Sequence, residues 1–112
     1  MKDNNEMNII IEQKIKERMA GILSMPIKEV ESAIDSKRRM RELATIKHSY
    51  RYLLRKHTDL SLKAIGRRSA MVDHTSVLHS IKEVENMLSI SATNRYNSYY
   101  KALDKIKLEE LL

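Results

Sequence analysis

A chain of 112 residues has room for one domain and one modest core, not for two. It holds no cysteine, which excludes disulfides and thiolate metal centres, and its two glycines and one proline leave little for a turn-rich β architecture. The net charge of +6 is unevenly placed: residues 37–82 carry twelve Lys/Arg against three Asp/Glu, a local net of +9, while both flanks are slightly acidic. Such a surplus points to a polyanionic partner rather than to helix faces that are merely solvated. No apolar run approaches the roughly 20 residues needed to cross a membrane. The start MKDNNEMNII is acidic and polar where a signal peptide is basic and then apolar, so a cytoplasmic protein is expected.

The spacing of Ile11, Ile15, Met19 and Ile22 predicts a first helix from about Asn5 to Leu23. Ser24-Met25-Pro26 reads as cap and restart, with a short helix from Pro26 to about Ser32 burying Ile27 and Val30. The run Lys37-Arg38-Arg39-Met40-Arg41 then places cations where the positive end of the next helix dipole repels them, unless an anion is present. A long helix, about Arg39–His57, is expected to bury Met40, Leu43, Ala44, Tyr50 and Leu54, with Ile46 and Leu53 flanking. Arg41, Lys47, His48, Arg51, Arg55 and Lys56 fall to its other side.

Ser61–Ser80, SLKAIGRRSAMVDHTSVLHS, reads as a short helix, a tight turn and a second helix. Ser61 and Asp73 are the expected N-caps. An apolar stripe of Val77, Leu78, Ile81, Val84 and Leu88 faces a core, and Thr75, Ser76, His79 and Lys82 face outward, the side-chain types that bond to base edges and phosphates. After a polar linker, Ser89–Asn94, a last helix of about Thr93–Leu111 capped by Ser91 or Thr93 is expected. Its Tyr96, Tyr99 and Tyr100 are read as packing on a neighbouring helix or a second subunit before a stacking platform for single strands.

Tyr52–Glu85 closely resembles the C-terminal DNA-binding domain of the bacterial replication initiator DnaA. The likeness rests on Ser61-Leu62, Ile65-Gly66 and Asp73-His74-Thr75-Ser76-Val77-Leu78-His79, and extends more weakly to roughly residues 5–88. It implies an all-α, Trp-repressor-like helix-turn-helix bundle, here of about six helices, that binds double-stranded DNA at short initiator boxes. It assigns 1–90 to that domain and leaves 91–112 as an additional C-terminal helix, packed on the domain or on a partner. By position, Asp73, His74 and Thr75 match the residues that meet bases in the major groove, with Ser76 and His79 beside them towards phosphates. Leu62 matches an apolar contact, with Lys63 next to it. Arg39, between Arg38 and Arg41, falls where the family has an arginine entering the minor groove. Lys47, His48 and Arg55 fall near the DNA backbone.

This chain departs from the family where Gly-Gly-Arg becomes Ala70-Met71-Val72 and the preceding aromatic becomes Ser69. Without glycines the turn is expected to differ in shape, since positive φ is harder to reach. No phosphate-binding G-x-x-x-x-G-K-[ST] loop is present, so no nucleotide cofactor is expected. The chain reads as a free-standing initiator-type domain or a piece of something larger. His74 and His79 are five apart on different helix faces and make no metal site, and Asp73, His74 and Ser76 lie within one turn and cannot align as a hydrolase triad. The expectation is therefore a nucleoid-associated, non-enzymatic protein that binds DNA selectively in replication initiation or its regulation. The competing functions are a protein-interaction adaptor, self-associating or engaging a replication protein through the C-terminal helix, and a non-specific nucleic-acid binder.

Overall fold

The computed structural model describes residues 5–38, 40–90 and 95–112. In that range the chain forms seven helices and no strand: α1 (Asn5–Leu23), α2 (Ile27–Asp35), α3 (Arg41–His57), α4 (Leu62–Arg67), α5 (His74–Ser89), α6 (Arg95–Asp104) and α7 (Leu108–Leu111). The fold is all-α.

Helix α1 buries Ile11, Ile15 and Met19, each one turn apart. It ends in a Schellman cap. Ser24 takes φ 55°, its N–H donates to the Gly21 carbonyl and the Met25 N–H donates to that of Ala20. Pro26 serves as the extended residue before α2, which continues to Asp35 and buries Val30, Ala33 and Ile34, while Ile27 is only half-buried. The helix runs a turn longer than the sequence suggested because Ala33 and Ile34 continue its apolar face.

Helix α3 is the central element, packed against α1, α2, α4, α5 and α6. Its inner face holds Ile46, Tyr50, Leu53 and Leu54. Two readings of this helix need correction. Met40 is its N-cap residue and 52% exposed, because the helix begins at Arg41 and Met40 lies outside the buried stripe. Arg51, expected towards solvent, is buried. The buried side chains of α1–α4 join Val77, Leu103, Ile106 and Leu111 in one core. Each large aliphatic side chain removed from water contributes about 1.5–3 kcal/mol.

Polar ties fix α1 against the helix-turn-helix. The Tyr50 hydroxyl donates to Glu12, which also accepts from Arg68 Nε at 3.2 Å, and Asn8 Nδ2 donates to Asp59 at 2.8 Å. At the other end of the chain the expected single last helix is two: the chain leaves helix over 105–107, where Ile106 turns into the core. Asp104 anchors this corner by accepting from the Tyr52 hydroxyl at 2.7 Å and from Lys56 Nζ at 2.9 Å. The expected caps Ser91 and Thr93 lie outside the described residues, as does Arg39.

Candidate nucleic-acid interface

Helices α4 and α5 start on side-chain caps, as their sequences predict. Ser61 Oγ accepts from the Ala64 N–H at 3.1 Å and Asp73 Oδ1 from the Ser76 N–H at 2.9 Å. The Ser76 hydrogen bonds hold the Asp73 carboxyl below its usual range, so it stays ionised at the tip of α5. His74 and Thr75 follow it, exposed on the first turn. The buried stripe of α5 is Val77, Ser80 and Val84, with Ile81 and Leu88 half-buried. Leu78, expected within it, is 40% exposed, because it sits one turn past His74 on the outer side.

The turn between the two helices is built on close backbone contact. Gly66 accepts from the Val72 N–H at 3.1 Å, and a Cβ at Gly66 would lie 2.1 Å from the Val72 oxygen. Hydrogen alone fits there. Ala70 and Met71 take φ 70° and 55°, so the turn uses the left-handed conformations that glycine reaches most easily, without having glycine there. Its shape is held by its surroundings instead: Ala70 is buried and its carbonyl accepts from Lys37 Nζ at 2.9 Å.

That bond joins the turn to the basic loop between α2 and α3. Lys47, nearly two turns into α3, closes the loop by donating to the carbonyls of Ser36 at 2.7 Å and Arg38 at 3.2 Å. A concavity of about 600 Å³ lies between loop, α3 and α5, lined by Lys37, Lys47, His48, Thr75, Ser76 and His79 among others. A smaller one of about 280 Å³ flanks the other side of the α5 tip, where Lys63 and Arg67 meet Met71, Asp73 and His74. The first turn of the second helix thus stands between two basic hollows.

Beneath the larger hollow runs a hydrogen-bond network. Arg51 donates from Nε to Ser69 Oγ at 3.0 Å, from Nη2 to the Ser69 carbonyl at 2.9 Å and from Nη1 to Ser80 Oγ at 2.9 Å. Ser80 Oγ also lies 2.7 Å from His48 Nδ1. Burial, with Arg51, His79 and Lys47 nearby, lowers the His48 pKa to about 4. His48 is therefore neutral at pH 7, its Nδ1 accepts from the serine hydroxyl, and the ring proton sits on Nε2.

A family model for the bacterial DnaA protein helix-turn-helix matches residues 24–84. The chain belongs to the DnaA helix-turn-helix family. The chromosomal replication initiator proteins DnaA of Wolbachia pipientis and Rickettsia canadensis are 32% and 34% identical to it, each over 85 residues covering 76% of this chain. The alignment spans 17% of the length of those relatives. No solved structure matches it.

Within this DnaA-type frame, the residues singled out from sequence divide into groups. Asp73, His74, Thr75, Ser76, His79, Lys47 and His48 border the hollows. Lys63 lines the smaller one, while Leu62, which opens α4, is half-buried against the core. Arg38 is exposed on the loop, with Ser36 and Leu43 as neighbours in a separate groove. Arg41 leans away from the hollows, its guanidinium 4.9 Å from the centre of the Tyr96 ring, and Arg55 is exposed in the last turn of α3. Lys37, from the basic run, also lines the larger hollow, together with Arg51 and Ser80, which no sequence motif marks. Spacing held the signal, since Arg51 follows Lys47 by one helical turn and shares its stripe.

Proposed function

We propose that this chain binds double-stranded DNA selectively at initiator-box-like sites, in replication initiation or its regulation. The observation that carries the reading is the exposed first turn of α5, with Asp73, His74 and Thr75, standing between two cation-lined hollows. A helix tip with flanking phosphate sites is what a major groove accommodates. Asp73 can accept from a cytosine amino group, Thr75 offers a methyl to thymine, and exposed Leu78 adds an apolar contact one turn on. Ser76 and His79 face the backbone. The loop carrying Arg38 and Arg39 enters the adjacent minor groove, and Lys47 contributes chiefly by setting that loop's shape. Arg55 and Lys63 supply outer phosphate contacts.

The relatives' role, chromosomal replication initiation, supports the replication setting. The adaptor reading asks Ala70-Met71-Val72 to form an apolar docking tip. Only Met71 of the three is well exposed, at 70%, which is a single side chain and not a surface. The single-strand reading asks for three free tyrosines, whereas Tyr100 is 4% exposed and the Tyr96 ring meets Arg41. Selection of sites from random duplex DNA tests the proposal. Enrichment of one short motif supports it; recovery of unrelated sequences refutes selectivity.

A further inference from the structure

A buried arginine, 5% exposed as a residue, calls for a counter-charge or a full set of hydrogen bonds, because desolvation penalises an uncompensated cation. Among the described residues Arg51 has neither. Its three hydrogen bonds all go to neutral oxygens and use three of its five N–H groups. None of the ion pairs among the described residues includes it. Arg51 lines the larger hollow, where Lys37 and Lys47 add positive charge. Among the described residues Asp73 is the one carboxylate on that lining, and its Oδ1 is occupied by the Ser76 N–H.

We propose that Arg51 is the buried half of a phosphate seat, its counter-charge a backbone phosphate of the bound duplex entering the hollow between α3, α5 and the basic loop. Ser69 and Ser80 fix the plane of the fork. Neutral His48 closes the network without adding a second buried cation. The seat rests on the duplex-binding reading and adds to it a residue that raises affinity for DNA of any sequence.

The test is a set of fluorescence anisotropy titrations of the full chain with duplex between 50 and 200 mM salt. Arg51→Gln and Arg51→Met remove the charge, with and without hydrogen-bonding capacity, and Arg51→Lys keeps it. Both neutral variants should lose affinity for matched and scrambled duplex alike, about 10-fold at low salt, with the slope of log K against log salt shallower by about 0.9. Arg51→Lys should keep the slope. A merely structural role lowers affinity and leaves the slope alone, so an unchanged slope in a folded neutral variant overturns the seat. Failure of the wild type to bind any duplex instead overturns the proposed function.

Should neither neutral variant fold, the wild type decides alone. Its Arg51 Nε–H resonance should shift as duplex is added, and a resonance unmoved at saturation overturns the seat. Inorganic phosphate at matched ionic strength is the third arm. A shift with phosphate and none with duplex would mark a free-anion site and overturn the DNA assignment.

Discussion

The Lys37 ammonium donates to the Ala70 carbonyl at 2.9 Å, tying the basic loop to the turn of the helix-turn-helix across 33 residues of sequence. In the proposed duplex complex, this bond would set the spacing between the loop at Lys37 and the start of α5. Lys37→Met should cost about 0.5–1.5 kcal/mol of stability. It should also weaken duplex binding several-fold, through loss of both the tie and a cation. Urea denaturation and anisotropy on the same preparation separate the two effects.

Gly66 is needed for close approach and not for its backbone angle. Gly66→Ala drives a methyl against the Val72 carbonyl, 2.1 Å from the new Cβ, and should destabilise by about 1–3 kcal/mol or more. Gly21→Ala, with nothing within 4 Å of the added methyl, should stabilise by about 0.5–1 kcal/mol. Thermal melts of the pair show opposite signs if the turn passes over Gly66 as described.

Met71 is exposed at φ 55°, a conformation that costs an L-residue about 1–2 kcal/mol. Met71→Gly relieves that strain and loses about 0.5–1 kcal/mol to backbone entropy. The net expectation is a gain of about 0.5–1 kcal/mol by urea titration. A clear loss contradicts a left-handed residue at this position.

His48 gives stability a pH dependence of definite sign. Its pKa is about 4 in the folded protein against an ordinary 6.5, so the folded state binds fewer protons between those values. Its contribution is complete above pH 6.5 and is lost as pH falls towards 4, by about 1–3 kcal/mol. Denaturation curves from pH 4 to 7.5 should show a shallower slope in His48→Gln. Equal slopes contradict a buried neutral ring.

Much of this architecture is legible in local sequence. Ser61 and Asp73 announce their caps, and Ile11, Ile15 and Met19 announce α1, because these signals depend on neighbours within a turn. The misplaced residues depend on distant partners. Arg51 reads as a surface cation until Ser69 and Ser80, 18 and 29 residues away, receive it. The turn keeps left-handed Ala70 and Met71 although composition argues against it, because Lys37 and Gly66 hold it from outside. Leu78 counts as apolar in any periodicity, yet the buried side of α5 runs through Val77, Ile81 and Val84 and leaves it outside. The break over 105–107 has no glycine or proline to mark it. It follows from Asp104 meeting Tyr52 and Lys56, and from Ile106 reaching the core.

Base and backbone contacts predict different mutational patterns. Thr75→Ala should cost about 1–3 kcal/mol at its own base position and relax preference there. Arg55→Ala should weaken all duplexes alike and flatten the salt dependence by about 0.9. A base-substitution scan run with each variant distinguishes them.

Helix α5 is proposed to read duplex sequence. Anisotropy titration of the wild type against an initiator-box duplex and its scrambled counterpart, at one fixed salt concentration, tests it most directly. Binding to the box should be tighter by at least about 4 kcal/mol, roughly 10³-fold, as specific protein–DNA complexes show over non-specific ones. Equal affinity for the two duplexes would contradict it.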